Sequence, residues 1–255
     1  MGHELLSIIT AKGKSTGLPN KNLRLLCGKP LVQWTIEASL QSHFITRTIV
    51  SSDKKEILAL SKQLGADPIE RPPKLATDTT DSESVLVHVI DYLKKSEGYI
   101  PDVLILLQPT SPLRTYKDID EAMNLYFDSA CSAVISGFKL ENNSLKDFII
   151  DGEDRLKAIT NDKFPFTPRQ QLPQTFRSNG AIYIIKADLF MQKHTLLTNN
   201  TRPFIMDKHR SIDINNMEDF IAAEDYLNKE NCEVSIKKLS INVKLAHKYT
   251  ESTLR

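Results

Sequence analysis

The stretch DVLILLQPTSPLR, from Asp102 to Arg114, reads as a short apolar strand that ends abruptly in a polar turn bracketed by two prolines. Asp102–Leu107 leaves almost no polar residue on either side of the pleat, the pattern of a parallel strand covered on both faces. The flanking segments supply the cover. Upstream, Ser82–Lys95 carries Val85, Leu86, Val89, Ile90 and Leu93 on one helical stripe, and downstream Lys117–Asp128 repeats the helical spacing. Nearer the amino end, Leu5–Thr10 is an apolar strand, Ala11–Asn22 a polar loop with glycines, and Pro30–Leu40 an amphipathic helix. The unit recurs with a strand at Arg47–Ser51 and a helix that Asp53 is placed to cap, running through Leu64 to a stop at Gly65. Such alternation predicts an α/β sandwich with a mostly parallel sheet.

Beyond a strand at Ser132–Gly137 the rhythm breaks. Residues Lys139–Arg177 hold Asn142-Asn143-Ser144, Asp151-Gly152 and three prolines, and read as an inserted hairpin and loop. Strands resume at Ala181–Ile185 and Arg202–Met206, and Met217–Asn228 closes the domain as a helix. The expected division is a domain over 1–228, with 139–177 inserted, and an extension over 229–255. Weak alternation at Val234, Ile236, Leu239, Ile241 and Val243 would suit an added strand there.

Composition narrows the partners. Thirty-three basic residues face 32 acidic ones over 255 residues, so no global field recruits nucleic acid or an anionic membrane, and any anion site is local. The apolar run Leu5–Ile9 is too brief for a signal segment or a membrane span, and Leu6 stands where a myristoylation signal has Ser or Thr. A cytoplasmic protein is expected. Cys27, Cys131 and Cys232 are far apart, without a CxxC or a nearby histidine pair, which points to reduced structural thiols.

Ligands of open α/β sheets collect beyond the carboxyl ends of the strands. Three of those ends carry polar clusters. Ala11-Lys12-Gly13-Lys14-Ser15-Thr16-Gly17-Leu18-Pro19-Asn20-Lys21-Asn22 combines glycines, lysines and hydroxyls, a composition suited to a triphosphate, or else a solvated basic loop. It matches neither GxxxxGK[ST] nor GxGxxG, which argues against a P-loop NTPase or a nicotinamide-dependent oxidoreductase. After the central strand, Gln108 offers a donor and an acceptor, unless the segment is only a tight turn. In Ser211-Ile212-Asp213-Ile214-Asn215, read as a strand, Asp213 and Asn215 share a face and offer oxygens suited to Mg²⁺. The alternative is that Asn215-Asn216 merely caps the next helix.

In order, GLPNKN (Gly17–Asn22), GKPLVQWTIEAS (Gly28–Ser39), RPPKLATDTT (Arg71–Thr80), QPTSPLR (Gln108–Arg114), RQQLPQTFRSNGAIY (Arg169–Tyr183) and DINNMEDFIAAE (Asp213–Glu224) resemble the acylneuraminate cytidylyltransferase family. That family makes CMP-sialic acid and its bacterial relatives, and the resemblance spans Leu5 to Leu227. It implies a Rossmann-like nucleotidyltransferase sandwich with an inserted dimerisation arm at 139–177, hence a homodimer. It implies transfer of CMP from CTP to a nine-carbon 2-keto sugar acid, with Mg²⁺ and release of pyrophosphate. By position, Ala11, Lys12, Ser15 and Lys21 resemble the phosphate loop, and Asn22, Arg71 and Ser82 the nucleoside contacts. Gln108, Arg169 and Tyr183 resemble acceptor-site residues, and Asp213 with Asn215 the metal site. Lys12, Lys21 and Asp213 would then carry the catalysis.

Three positions depart from the family pattern. Lys12 stands where arginine is common, Thr16 where lysine is, and Asn215 where the second carboxylate of an Asp-x-Asp pair is usual. Lysine cannot grip a phosphate with two parallel bonds, and an amide brings oxygen without charge. The alternatives are a cytidylyltransferase for another acid such as Kdo, or a weakened nucleotide-binding homologue. None of the six histidines falls in a motif to mark a general base.

Overall fold

The computed structural model describes residues 3–141 and 144–230. In chain order its strands and helices are β1 (Leu5–Thr10), β2 (Leu25–Leu26), β3 (Lys29–Pro30), α1 (Leu31–Gln41), β4 (Arg47–Ser52), α2 (Lys55–Leu64) and β5 (Asp67–Glu70), then α3 (Ser82–Glu97), β6 (Val103–Leu107), α4 (Tyr116–Asp128) and β7 (Ala133–Lys139). There follow β8 (Phe148–Ile150), β9 (Leu156–Ala158), β10 (Phe176–Lys186), α5 (Ala187–Lys193) and β11 (Thr201–Ile205). A last helix covers 217–230.

Seven strands form one sheet in the order β11-β7-β10-β6-β1-β4-β5. Only β10 runs against its neighbours β6 and β7; the other pairings are parallel. All five residues of β6 are buried, as a strand with helices on both faces requires. Side chains of β1 alternate between the faces. Leu5 and Ile9 join α1, α2 and α4 on one side, while Leu6 and Ile8 join α3 and α5 on the other. Ser7 shares the first face and satisfies its hydroxyl through Ser39, 2.6 Å away, which in turn meets Thr48 at 2.8 Å. A third apolar cluster, with Leu18, Leu31, Leu113, Ile214 and Phe220, fastens the last helix to the polar end of the sheet.

The stripe read on α3 is buried in full, and α2 ends on Gly65 at φ 97°, a conformation glycine adopts without the Cβ penalty. Four readings need correction. Asp53 does not cap α2; Lys54 holds the cap position without a side-chain hydrogen bond. Residues 211–214, read as a strand, have no regular structure, because Ile214 N–H is spent on Thr110 O rather than on a strand ladder. Helix α5 falls where no element was expected: its seven residues are too few for a periodic signal, and it is held by burial of Ala187 and Phe190. The excursion is shorter than 139–177 because β7 runs out to Lys139 and β10 begins at Phe176. The strand suggested between Val234 and Val243 lies outside the described residues.

The excursion itself is the hairpin β8–β9 with short 3-10 turns, and it leaves much apolar surface open: Ile149 is 55% exposed, Ile150 66%, Leu156 66% and Phe166 82%. Among the described residues no helix is long and apolar enough to cross a membrane. Cys27 and Cys131 are free thiols, half-buried and buried.

Candidate active site

Strands β4 and β5 lie to one side of β1 and β6 to the other, so the loops leaving β1 and β6 diverge and open a crevice at their carboxyl ends. A cleft of about 310 Å³ occupies it. Thr10, Lys12, Ser15, Lys21 and Asn22 line it from the loop after β1, and Gln108, Pro109 and Thr110 from the turn after β6. Arg71 enters from the end of β5, Thr80, Asp81 and Ser82 from the start of α3, and Asp213 and Asn215 from the segment before the last helix.

Each side chain is held by local structure. Lys21 Nζ donates to Ile214 O at 2.6 Å, and partial burial lowers its pKa from the ordinary lysine range, with Asp213 pulling the other way. Asn22 Nδ2 donates to Lys12 O at 2.8 Å, fixing the loop where it re-enters the fold, while its buried Oδ1 has no partner among the described residues. Arg71 is 5% exposed; Nη2 donates to Ser51 O at 2.8 Å, and burial lowers the guanidinium to about 10. The amino end of α3 is capped by Asp81, which accepts from Ser84 N–H at 2.8 Å, so the positive end of the helix dipole faces the cleft. Gln108 Nε2 reaches Ser82 Oγ at 3.4 Å.

Asp213 and Asn215 meet side by side, Asn215 Nδ2 donating to Asp213 Oδ2 at 3.1 Å. They come together through an irregular turn rather than along a strand face. Capping falls to their neighbour: Asn216 Oδ1 accepts from Asp219 N–H at 2.9 Å, and Asp219 Oδ2 accepts from Asn215 N–H at 2.9 Å. Asn215 is thereby released to the cleft. One carboxylate and one amide oxygen are hard donors of the kind Mg²⁺ takes beside substrate phosphates. No group of three or more His, Cys, Asp or Glu among the described residues could hold a metal unaided.

Three residues read as part of the site are not among those lining this cleft. Ala11 is fully buried in the core, donating its N–H to Ser51 O at 3.0 Å. Tyr183 is half-buried on β10 opposite Leu106; burial raises its phenol pKa, and Asp213 is near enough to add to the shift. Arg169 is exposed and lines a separate hollow with Lys139, Glu141 and Gln174 at the root of the excursion. Within one chain the structure does not bring it to the cleft, because it lies on the excursion that leaves the sheet after β7 and rejoins it at β10.

Other residues that shape the site escaped the sequence reading. Asp53 Oδ1 accepts from Gly13 N–H at 2.7 Å and anchors the loop after β1. Asn179 is 2% exposed and works as a hub, accepting from Ser136 Oγ at 2.7 Å and donating to Ser211 Oγ at 2.9 Å, just ahead of Asp213. Arg114, 2% exposed, spans from Ala181 O at 3.1 Å to Thr35 Oγ1 at 2.7 Å and fixes the turn after β6. The quoted motifs contain Asn179 and Arg114, but nothing in one sequence separates a buried polar clamp from a ligand contact. Gly180 has φ 74°, and a Cβ there would collide with Gln108 Oε1 and crowd Ser111 Oγ. Gly180→Ala is therefore expected to cost about 1–3 kcal/mol in urea unfolding, and trimming Gln108 to Ala in the same chain should recover part of that loss. Additive losses would mean the glycine serves backbone conformation alone.

Fold and cleft together define an α/β protein with an open crevice at the carboxyl ends of a mostly parallel sheet, whose loop after β1 is not of the P-loop type. A family model described as cytidylyltransferase matches residues 6–245, and the chain belongs to that family. It is 33% identical over 225 residues to the CMP-N,N'-diacetyllegionaminic acid synthase of Legionella pneumophila, covering 86% of this chain and 94% of that protein. It is 32% identical over 232 residues to the N-acylneuraminate cytidylyltransferase of Escherichia coli O18:K1:H7, covering 91% of this chain but 54% of that longer protein. Among solved structures, a CMP:2-keto-3-deoxy-manno-octonic acid synthetase complexed with CTP superposes with a TM-score of 0.63 at 15% identity, covering 89% of this chain and 99% of that one, a likeness of fold.

Proposed function

We propose that this chain transfers CMP from CTP to the anomeric hydroxyl of a nonulosonic acid, with Mg²⁺, and releases pyrophosphate. One observation carries the reading: Lys12, Lys21, Asp213, Asn215, Arg71 and Asn22 line a single cleft, with Lys21 bonded to Ile214 O between Asp213 and Asn215. Cations for a polyphosphate, oxygens for its metal and buried polar groups for a nucleoside thus share one crevice. The names of the relatives, at about a third identity, favour a nine-carbon acceptor over the eight-carbon one named for the fold neighbour.

In the reaction the acceptor oxygen attacks the α-phosphorus in line and forms the new ester bond. The bond from that phosphorus to the bridging oxygen breaks, and pyrophosphate leaves with the bonding pair as the acceptor hydroxyl loses its proton. Lys12 and Lys21 oppose the charge that grows on the leaving group, and Lys21, aimed by its bond to Ile214 O, supplies that stabilisation from a fixed position. Mg²⁺, held by Asp213 and Asn215 together with the phosphates, supplies further charge neutralisation. Asn22 Oδ1, Arg71 and Ser82 orient the nucleoside, and Gln108 the sugar acid. The apolar surface of the β8–β9 excursion is suited to burial against a second copy, and a homodimer would place Arg169 of one chain where its own fold does not.

The test is pyrophosphate release with CTP and Mg²⁺ against sialic, legionaminic, pseudaminic and Kdo acids, with ATP and UTP as nucleotide controls. CTP-dependent release with a nine-carbon acid is expected. Release with Kdo alone, or CTP binding without release from any acid, would sink the proposal and favour the other-acid or the weakened-binder reading.

A further inference from the structure

Besides the Asn22–Lys12 O, Lys21–Ile214 O and Lys54–Asn20 bonds, the loop after β1 is tied down at three further places. Gly13 N–H is bonded to Asp53, and Gly17 packs so close to Asn215 O that a Cβ there would overlap it. The third tie is of another kind. Asp78 places Oδ1 2.6 Å from Lys12 Nζ and Oδ2 2.7 Å from Thr16 Oγ1, so one carboxylate spends both oxygens on this loop. Its side chain is 60% exposed, and that of Lys12 31%. On either side of Asp78, Thr77 and Thr80 line the cleft and bond to each other at 2.7 Å, which fixes the turn facing the loop. Lys12, then Thr16, hold the Asp78 carboxyl below its ordinary range.

A carboxylate that takes one ammonium and one hydroxyl donor has the demands of a phosphate group. We propose that Asp78 is a positioning residue that takes the place of the triphosphate before CTP binds: it holds the loop through Lys12 and Thr16 and surrenders Lys12 when CTP enters. The inference rests on the assignment of Lys12 to the phosphates. Entry of CTP then means breaking the Lys12–Asp78 pair and bringing a polyanion beside the carboxylate that is left. Asp78 therefore opposes nucleotide binding. Lys12 and Thr16 are both held by this one carboxylate, so they act as one unit.

The sign of the effect makes it testable, since loss of a ligand contact or of a structural tie weakens binding. CTP is titrated calorimetrically into the full chain without divalent cation or acceptor. Asp78→Asn is expected to bind CTP about three- to fivefold tighter than the unaltered protein, the range open to an exposed ion pair. Thr16→Val, which removes an exposed hydroxyl, should shift affinity in the same direction by less and keeps the test open if Asp78→Asn folds poorly. Adding Asp78→Asn to Lys12→Met should bring no gain over Lys12→Met alone. Unchanged or weaker binding in both single variants overturns the inference, as does a gain that persists without Lys12. Failure of the unaltered chain to bind CTP at all would instead strike the assignment of the cleft.

Discussion

Lys21→Ala is expected to lower kcat/KM for CTP by about a hundred- to a thousandfold while leaving the unfolding midpoint nearly unchanged, the range for losing one preorganised charge donor. The side chain is half-buried, faces Asp213, and is aimed by a 2.6 Å bond to Ile214 O. Burial already makes its charged form less favourable than that of a lysine in water, so the ammonium is kept for a polyanion rather than for solvation. The sign for pH follows. The charged form binds phosphate, and burial lowers the pKa from the ordinary lysine range, so kcat/KM for CTP should begin to fall at a lower pH than an exposed lysine would give. Lys21→Arg restores charge but not the compact reach to Ile214 O, and should recover only part of the activity. A profile in which Lys21→Ala keeps most of its kcat/KM would remove this residue from the catalytic set.

Asp213→Ala should cost about a hundredfold or more in kcat and move half-saturation by Mg²⁺ to higher concentration. Asp213 is the single carboxylate of the Asp213–Asn215 pair, whose amide already donates to it at 3.1 Å. Asn215→Asp runs the other way. Two carboxylates at that spacing repel when empty, so the variant should be less stable than the parent in chelator and regain stability with Mg²⁺, with half-saturation at lower metal concentration. Thermal unfolding with and without Mg²⁺ reads this independently of turnover. Equal metal dependence in Asn215→Asp and the parent would mean that the metal does not visit this pair.

Much of the architecture was legible because the apolar pattern is unambiguous. DVLILL permits little except a strand covered on both faces, and the α3 stripe permits only one buried side. What could not be read was any polar group whose partner is distant in sequence. Asp53 looked like a helix cap because it stands just ahead of α2, yet its oxygen goes to Gly13, 40 positions earlier. Asp213 and Asn215 looked like a strand face because they are two apart; a turn sets them in the same relation without any ladder. Arg114 sat in a motif that reads as ligand-binding and proved to be a buried clamp. The Asp78 contact joins residues 66 apart and could come only from the fold.

That β10 is the one antiparallel strand of the seven-stranded sheet has a consequence for how the chain is made. Strands β5, β4, β1 and β6 all come from residues before 108, and the half-sheet they form is complete as the first half of the chain leaves the ribosome. Its growing edge is β6, whose free hydrogen-bonding side waits until β10, residues 176–186, has been synthesised. Until then the most apolar strand of the molecule is an open template for other chains. A truncation between α4 and β10 would leave that edge bare for good, so the amino-terminal half should aggregate when expressed alone.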